Sequence, residues 1–218
     1  MPKLLTVSLV PVFLAAQGGR PVPLDNARVH VVDAFDKPHS HGAVHEHKVN
    51  RVMVYLTKCD TRITDAGGAV ERQHWKPGDV AWSPARGPHT SENPNDAACR
   101  IIEIELKPVS GVKSVPPGPL DPVVVDPKHY AVLFDNEQVR VLKAHYPAHE
   151  AGAMHEHTRD RVTVPLTDTE LKVTTPDGKS EVRHMKHGDV AWGGPAKHQE
   201  YNASDGPFEI IAVEFKAR

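Results

Sequence analysis

Short runs in which apolar and polar residues alternate recur along the chain, as in Arg51-Val52-Met53-Val54-Tyr55-Leu56, Arg100-Ile101-Ile102-Glu103-Ile104-Glu105-Leu106 and Phe208-Glu209-Ile210-Ile211-Ala212-Val213-Glu214-Phe215. A period of two sends successive side chains to opposite faces, which is the pattern of a β-strand. Turn formers separate the runs: Ala66-Gly67-Gly68, Pro77-Gly78-Asp79, Pro176-Asp177-Gly178 and His187-Gly188-Asp189. No segment of the sequence shows convincing helical periodicity. Short strands at this spacing predict an all-β architecture of the double-sheet, jelly-roll kind.

The pattern occurs twice. When the chain is slid along itself so that His45 falls on His155, Gly42-Ala43-x-His45-Glu46-His47 meets Gly152-Ala153-x-His155-Glu156-His157. Arg51-Val52-x-Val54-x-Leu56-Thr57 meets Arg161-Val162-x-Val164-x-Leu166-Thr167, and Gly78-Asp79-Val80-Ala81-Trp82 meets Gly188-Asp189-Val190-Ala191-Trp192. One deletion in the second copy then brings His89 onto His198, Asn93 onto Asn202 and Ile101-Ile102 onto Ile210-Ile211. A duplication at this scale predicts two barrels, residues 21–107 and 131–218, joined by a Pro-rich linker at 108–130 that holds Pro108, Pro116, Pro117, Pro119 and Pro122. Residues 1–20 read in two ways: as a signal peptide, with a basic start, an apolar Leu4 to Leu14 and small residues up to Gly18, or as an N-terminal strand. The first reading implies a secreted or periplasmic protein; the second leaves it cytoplasmic.

Composition narrows the function. The chain has 218 residues, 26 Lys and Arg against 28 Asp and Glu, and a formal net charge of -2. It lacks the basic excess of a nucleic-acid binder, and its longest apolar stretch is too short for a membrane helix, so neither nucleic acid nor membrane is an expected partner. Two cysteines, Cys59 and Cys99, exclude a thiolate zinc site and a disulfide-dense scaffold, while one disulfide remains compatible with export.

The unusual count is histidine, 15 of 218. On a strand, His45 and His47 project to one face, as do His155 and His157. His89 and His198 return on a later strand that an antiparallel neighbour brings alongside. Three imidazoles on one face suit Fe, Zn, Cu or Ni and leave coordination positions open. A single His-x-His is more often a solvated strand face, but here all three histidines recur in both copies while neighbours such as Lys48-Val49-Asn50 and Thr158-Arg159-Asp160 differ. His39 and His149 pair between copies and are weaker candidates, at the mouth of a substrate pocket. His30, His41, His74, His129, His145, His184 and His187 have no convergent spacing and are expected at the surface.

These residues resemble the cupin superfamily, in its tandem, bicupin form. The family's second motif is matched by Gly78, Pro84, His89 and Asn93 and again by Gly188, His198 and Asn202. Its first motif is matched by the two His-x-His pairs, but the family's glutamate ligand falls on Val52 and Val162, with Arg51 and Arg161 just before. Each half also resembles small single-domain cupins of the beta-alanine degradation protein type. The resemblance implies two tandem cupin barrels, that is, double-stranded β-helices, each with a divalent metal ion and a tendency to homodimerise.

Loss of the carboxylate makes Mn a poorer fit and an all-imidazole site a better one. Three-histidine cupins resemble dioxygenases that use Fe(II), so the leading expectation is an Fe(II)-dependent oxygenase acting on a small organic acid or carbonyl compound, with Zn, Ni, Cu or Mn as alternatives. Arg51 or Arg161 would clamp such an anion if turned inward. Parity argues the other way: if Val52, Val54 and Leu56 face the core, the arginine faces out. The alternatives are a metal-dependent isomerase and a non-catalytic bicupin that holds a small ligand.

Overall fold

A computed structural model describes residues 22–110 and 113–217; the signal-peptide or strand reading of residues 1–20 lies outside them. The first half contains β1 (Leu24–Asp25), β2 (Val29–Asp36), β3 (Ser40–His41), β4 (His45–His47), β5 (Arg51–Tyr55), β6 (Cys59–Asp65), β7 (Val70–Trp75), β8 (Val80–Ser83), β9 (Arg86–Asn93) and β10 (Cys99–Leu106). The second contains β11 (Tyr130–Asp135), β12 (Val139–Tyr146), β13 (His155–His157), β14 (Arg161–Pro165), β15 (Thr169–Thr174), β16 (Ser180–Met185), β17 (Ala191–Gly193), β18 (Ala196–Asn202) and β19 (Phe208–Phe215). Between them lies a one-turn helix, α1 (Pro122–Val125). Each half folds as two facing antiparallel sheets, one of order β1-β2-β10-β5-β8 against β3-β9-β6-β7 with β4 on β9, the other β11-β12-β19-β14-β17 against β13-β18-β15-β16. The two halves are all-β jelly rolls of one topology.

Among the described residues the apolar side chains form three cores, and one of them joins the halves. Val52, Val54, Ile102 and Ile104 of β5 and β10 pack with Val162, Val164, Ile211 and Val213 of β14 and β19 in one cluster. Alternate residues on the same strands point the other way, into the barrels: Met53, Tyr55 and Ile101 in the first, Ile210 and Ala212 in the second. Strand β5 is buried along its whole length for this reason. The contact between the halves is reciprocal, as a two-fold relation between copies requires. Gly188, at φ 81°, seats its turn so closely that an added Cβ would stand 2.6 Å from Leu56, while Gly78, at φ 86°, faces Leu166 in the same manner.

Two local features depart from the sequence reading. His129, expected at the surface, is 5% exposed; its Nδ1 lies 2.6 Å from Asp126 and its ring stacks on Tyr146 at 4.1 Å. The Pro-rich segment lies along the second barrel, where Val115 and Leu120 carbonyls accept from Arg159 and from the Glu156 amide. Asp121 accepts from Arg140 as well as capping α1. Cys59 and Cys99 form a disulfide with Cα atoms 5.0 Å apart, linking the start of β6 to the start of β10. In the second copy the corresponding positions are Thr169 and Phe208, and Phe208 fills the space by stacking on Tyr146.

Candidate metal centres

Pairing of β4 with β9 sets His45 opposite His89, and pairing of β13 with β18 sets His155 opposite His198. His47 and His157, two residues further along, share the face. The result is two triads, His45, His47 and His89, and His155, His157 and His198, whose ligand atoms lie within 4.8 Å of one another. Ring centroids stand 5.0, 4.4 and 5.3 Å apart in the first and 5.1, 4.6 and 5.5 Å in the second, so the two copies hold one geometry.

Outer hydrogen bonds aim the rings. His45 and His155 direct Nδ1 to the carbonyls of Ala43 and Ala153, and His89 directs Nδ1 to Gly87. His157 directs Nδ1 to the Glu214 carboxylate at 2.8 Å. A proton held on Nδ1 leaves the Nε2 lone pair facing the other two histidines, which is the tautomer a metal ligand needs. Burial lowers the pKa of His89 and His155 and brings His157 down to about 4, so these rings stay neutral and able to donate their lone pairs. The donor set therefore fits a divalent ion in each barrel.

Glu214 is 1% exposed. Burial alone would raise its pKa, but the His157 hydrogen bond and the charge of Arg140 outweigh that and keep it ionised. Its counterpart Glu105 sits 3.7 Å from His47, whose nearness holds the carboxyl below its usual range. Sequence reasoning missed both residues. The signal was present, because the register that aligns Ile101 with Ile210 also aligns Glu105 with Glu214.

The arginines correct the parity argument. Arg51 is 6% exposed and Arg161 8%, and both face their barrel interiors. The error lay in treating the valine face as the only buried one: Val52 and Val162 face the other barrel, so Arg51 and Arg161 occupy the inward position beside the histidines. Arg51 donates to Glu103 at 2.6 Å, to Ser83 at 2.9 Å and to Nε2 of His47 at 2.8 Å. An ion on that nitrogen would require Arg51 to release one of these three bonds. Arg161 instead donates to the Gly194 carbonyl.

His39 and His149 do not join the triads. They occupy left-handed backbone at φ 52° and 57° in exposed turns, and contact Asp96 and Asp205. The His39 turn is tied to Asn95 beyond the end of β9, about 13 Å along that strand from His89 at the usual rise per residue.

The two centres differ in access. The second triad is enclosed, at 0%, 3% and 4% exposure, whereas His45 and His47 are half-buried. Arg51 and His89 line a cavity of ≈ 500 Å³ together with Met53, Tyr55, Trp75 and Arg86.

No protein-family model and no curated protein sequence matches the chain. Among solved structures, a cupin domain from Bordetella pertussis is 31% identical, over 40% of this chain and 91% of that one, with a TM-score of 0.38. A cupin 2 conserved barrel domain protein from Leptotrichia buccalis matches 88% of this chain and 86% of its own at 15% identity and TM-score 0.53. A variant oxalate decarboxylase from Bacillus subtilis matches 87% and 69% at 13% identity and TM-score 0.59, so both halves find counterparts in one chain. The fold is that of these cupin structures, present twice in tandem. Each of the two barrels places a histidine triad.

Proposed function

We propose that this bicupin is a metal-dependent oxygenase of small organic acids or carbonyl compounds, with the first barrel as its working site. The observation that carries the proposal is that His89, a member of the triad, and Arg51 line the same cavity of ≈ 500 Å³. That volume suits a small metabolite. Buried Arg51 has an Nε without a hydrogen-bond partner among the described residues, a donor available to a carboxylate or enolate entering the cavity. A substrate carboxylate would also draw the guanidinium away from His47 and clear Nε2 as a ligand. His45, His47 and His89 would hold the ion; when bound it supplies a Lewis acid for the substrate oxygen and, where it is iron, the redox capacity that dioxygen chemistry needs. Tyr55, Trp75 and Met53 give the cavity apolar walls that limit water around the bound anion. The metal identity, with Fe(II) preferred, belongs to the same proposal.

The test is oxygen uptake by protein reconstituted anaerobically with Fe(II), screened against small oxo acids, hydroxy acids and 1,3-dicarbonyls. Uptake that is abolished by His89→Ala, and whose KM rises about tenfold in Arg51→Lys, is expected. Absence of uptake with every compound, despite bound iron, would overturn the proposal.

A further inference from the structure

The wall of the first cavity holds a phenol that the triad does not use. Tyr55 lies four residues beyond Arg51 on β5, so both side chains project into the barrel. It is 3% exposed, its ring stacks on Trp75 at 4.7 Å, and both rings line the cavity of ≈ 500 Å³ that Arg51 and His89 share. Its hydroxyl has no hydrogen-bond partner among the described residues. Burial and the nearby charge of Glu103 raise its pKa, so the phenol keeps its proton. A buried hydroxyl that donates to nothing, set in a cavity wall, is a hydrogen bond left for a ligand oxygen to complete.

The second copy shows that the jelly roll does not require this pair. In the repeat Tyr55 corresponds to Pro165 and Trp75 to Met185, and the same strands form with the same pairing. The other polar groups in the lining decide what the cavity can hold. Glu71 accepts from Arg86 at 2.8 Å and from Gln73 at 2.7 Å, the Gln73 carbonyl accepts from the Trp75 indole, and Ser83 Oγ accepts from Arg51. These side-chain acceptors are already engaged. What stays open is donors, the buried Nε of Arg51 and the hydroxyl of Tyr55. Arg51 is tied to Ser83 on the neighbouring β8 and Tyr55 to Trp75, with their Cα atoms about 13 Å apart at the usual rise per residue, so the two donors serve separate points of the cavity.

We infer that the ligand of the first barrel is an organic acid with a second oxygen acceptor at its far end, a carboxylate or a ketone, and that the Tyr55 hydroxyl holds this second oxygen while Arg51 holds the first carboxylate. This rests on the reading of the cavity as an organic-acid site anchored by Arg51. Tyr55 then sets specificity: a simple monocarboxylate leaves the phenol unpaired, and an amine at the far end meets a donor where it needs an acceptor. The stack on Trp75 fixes the phenol ring before the ligand arrives, so that little ordering remains to be done on binding. With Pro165 in the corresponding place, the second barrel has no such contact to offer.

The experiment is calorimetric binding to the full chain loaded with Zn(II), an ion without redox chemistry, so that affinity is read apart from turnover. The probes are the dicarboxylates from malonate to adipate, each set against the monocarboxylate of the same chain length. The unaltered chain is expected to bind the best-fitting dicarboxylate at least about tenfold more tightly than its monocarboxylate. Tyr55→Phe, which keeps the ring and its stacking, is expected to abolish that preference and leave monocarboxylate affinity unchanged, a split that general loosening of the barrel would not produce. Arg51→Lys is expected to weaken both classes. Monocarboxylate binding without any dicarboxylate preference in the unaltered chain, or a preference that survives in Tyr55→Phe, would overturn the role of Tyr55 and leave the acid site standing. Absence of binding by every acid in the unaltered chain would overturn both.

Discussion

Arg51 shows how one side chain links stability to the site. It is nearly buried, and its charge is balanced by Glu103, whose side chain is 17% exposed. Removing the guanidinium leaves that carboxylate without its cation in a poorly hydrated barrel, where breaking a pair costs far more than the pair contributes in net terms. Arg51→Ala is therefore expected to destabilise the chain by about 3 kcal/mol, measured by urea unfolding. A change below 1 kcal/mol would mean that water reaches Glu103 freely. At this scale the sequence displayed the six histidines, because their spacing recurs in both copies. It did not display the contact between Tyr130 and Glu200, which lie far apart in the chain and meet only when the two facing sheets of the second barrel close on each other. Nor did it rank the arginines, because period two separates two faces of a strand without saying what lies beyond either.

Among the elements, β5 and its repeat β14 are the clearest case. Their alternating pattern was legible, yet both faces are buried, one in a barrel and one between barrels. Strand β10 adds a covalent feature found in the first copy alone. The Cys59–Cys99 disulfide spans a sequence separation of 40 and ties the two sheets of that barrel together. For a loop of that length, the restriction of the unfolded chain contributes about 4 kcal/mol in the chain-entropy account. Cys59→Ser with Cys99→Ser is expected to lower the unfolding free energy by about that amount, whereas the unaltered chain under reducing conditions should move toward the same value. The measurement is denaturant unfolding with and without reductant. Equal midpoints for the oxidised chain and the double variant would show that the bridge adds nothing. The cysteines alone left pairing open, since it depends on β6 and β10 starting side by side.

For the whole molecule, the decisive feature is the apolar cluster shared by β5, β10, β14 and β19. Two barrels that bury their valines and isoleucines in each other have little reason to unfold separately. Ile211→Ala, at a fully buried position in that cluster, is expected to cost about 2 to 5 kcal/mol and to shift one transition rather than reveal two. Calorimetry checks this; two resolved transitions in the unaltered chain would show that the barrels are energetically independent. By itself the sequence determined the duplication, the β architecture, the strand and turn positions and the paired histidine triads, because each rests on local periodicity or on direct comparison of the two copies. The tertiary structure alone decided which strand face enters a barrel, which carboxylates stand beside the histidines, that one centre is open and the other enclosed, and that the largest core lies between the copies. These are properties of surfaces meeting at long range, and alternation along a strand carries no information about what the strand will meet.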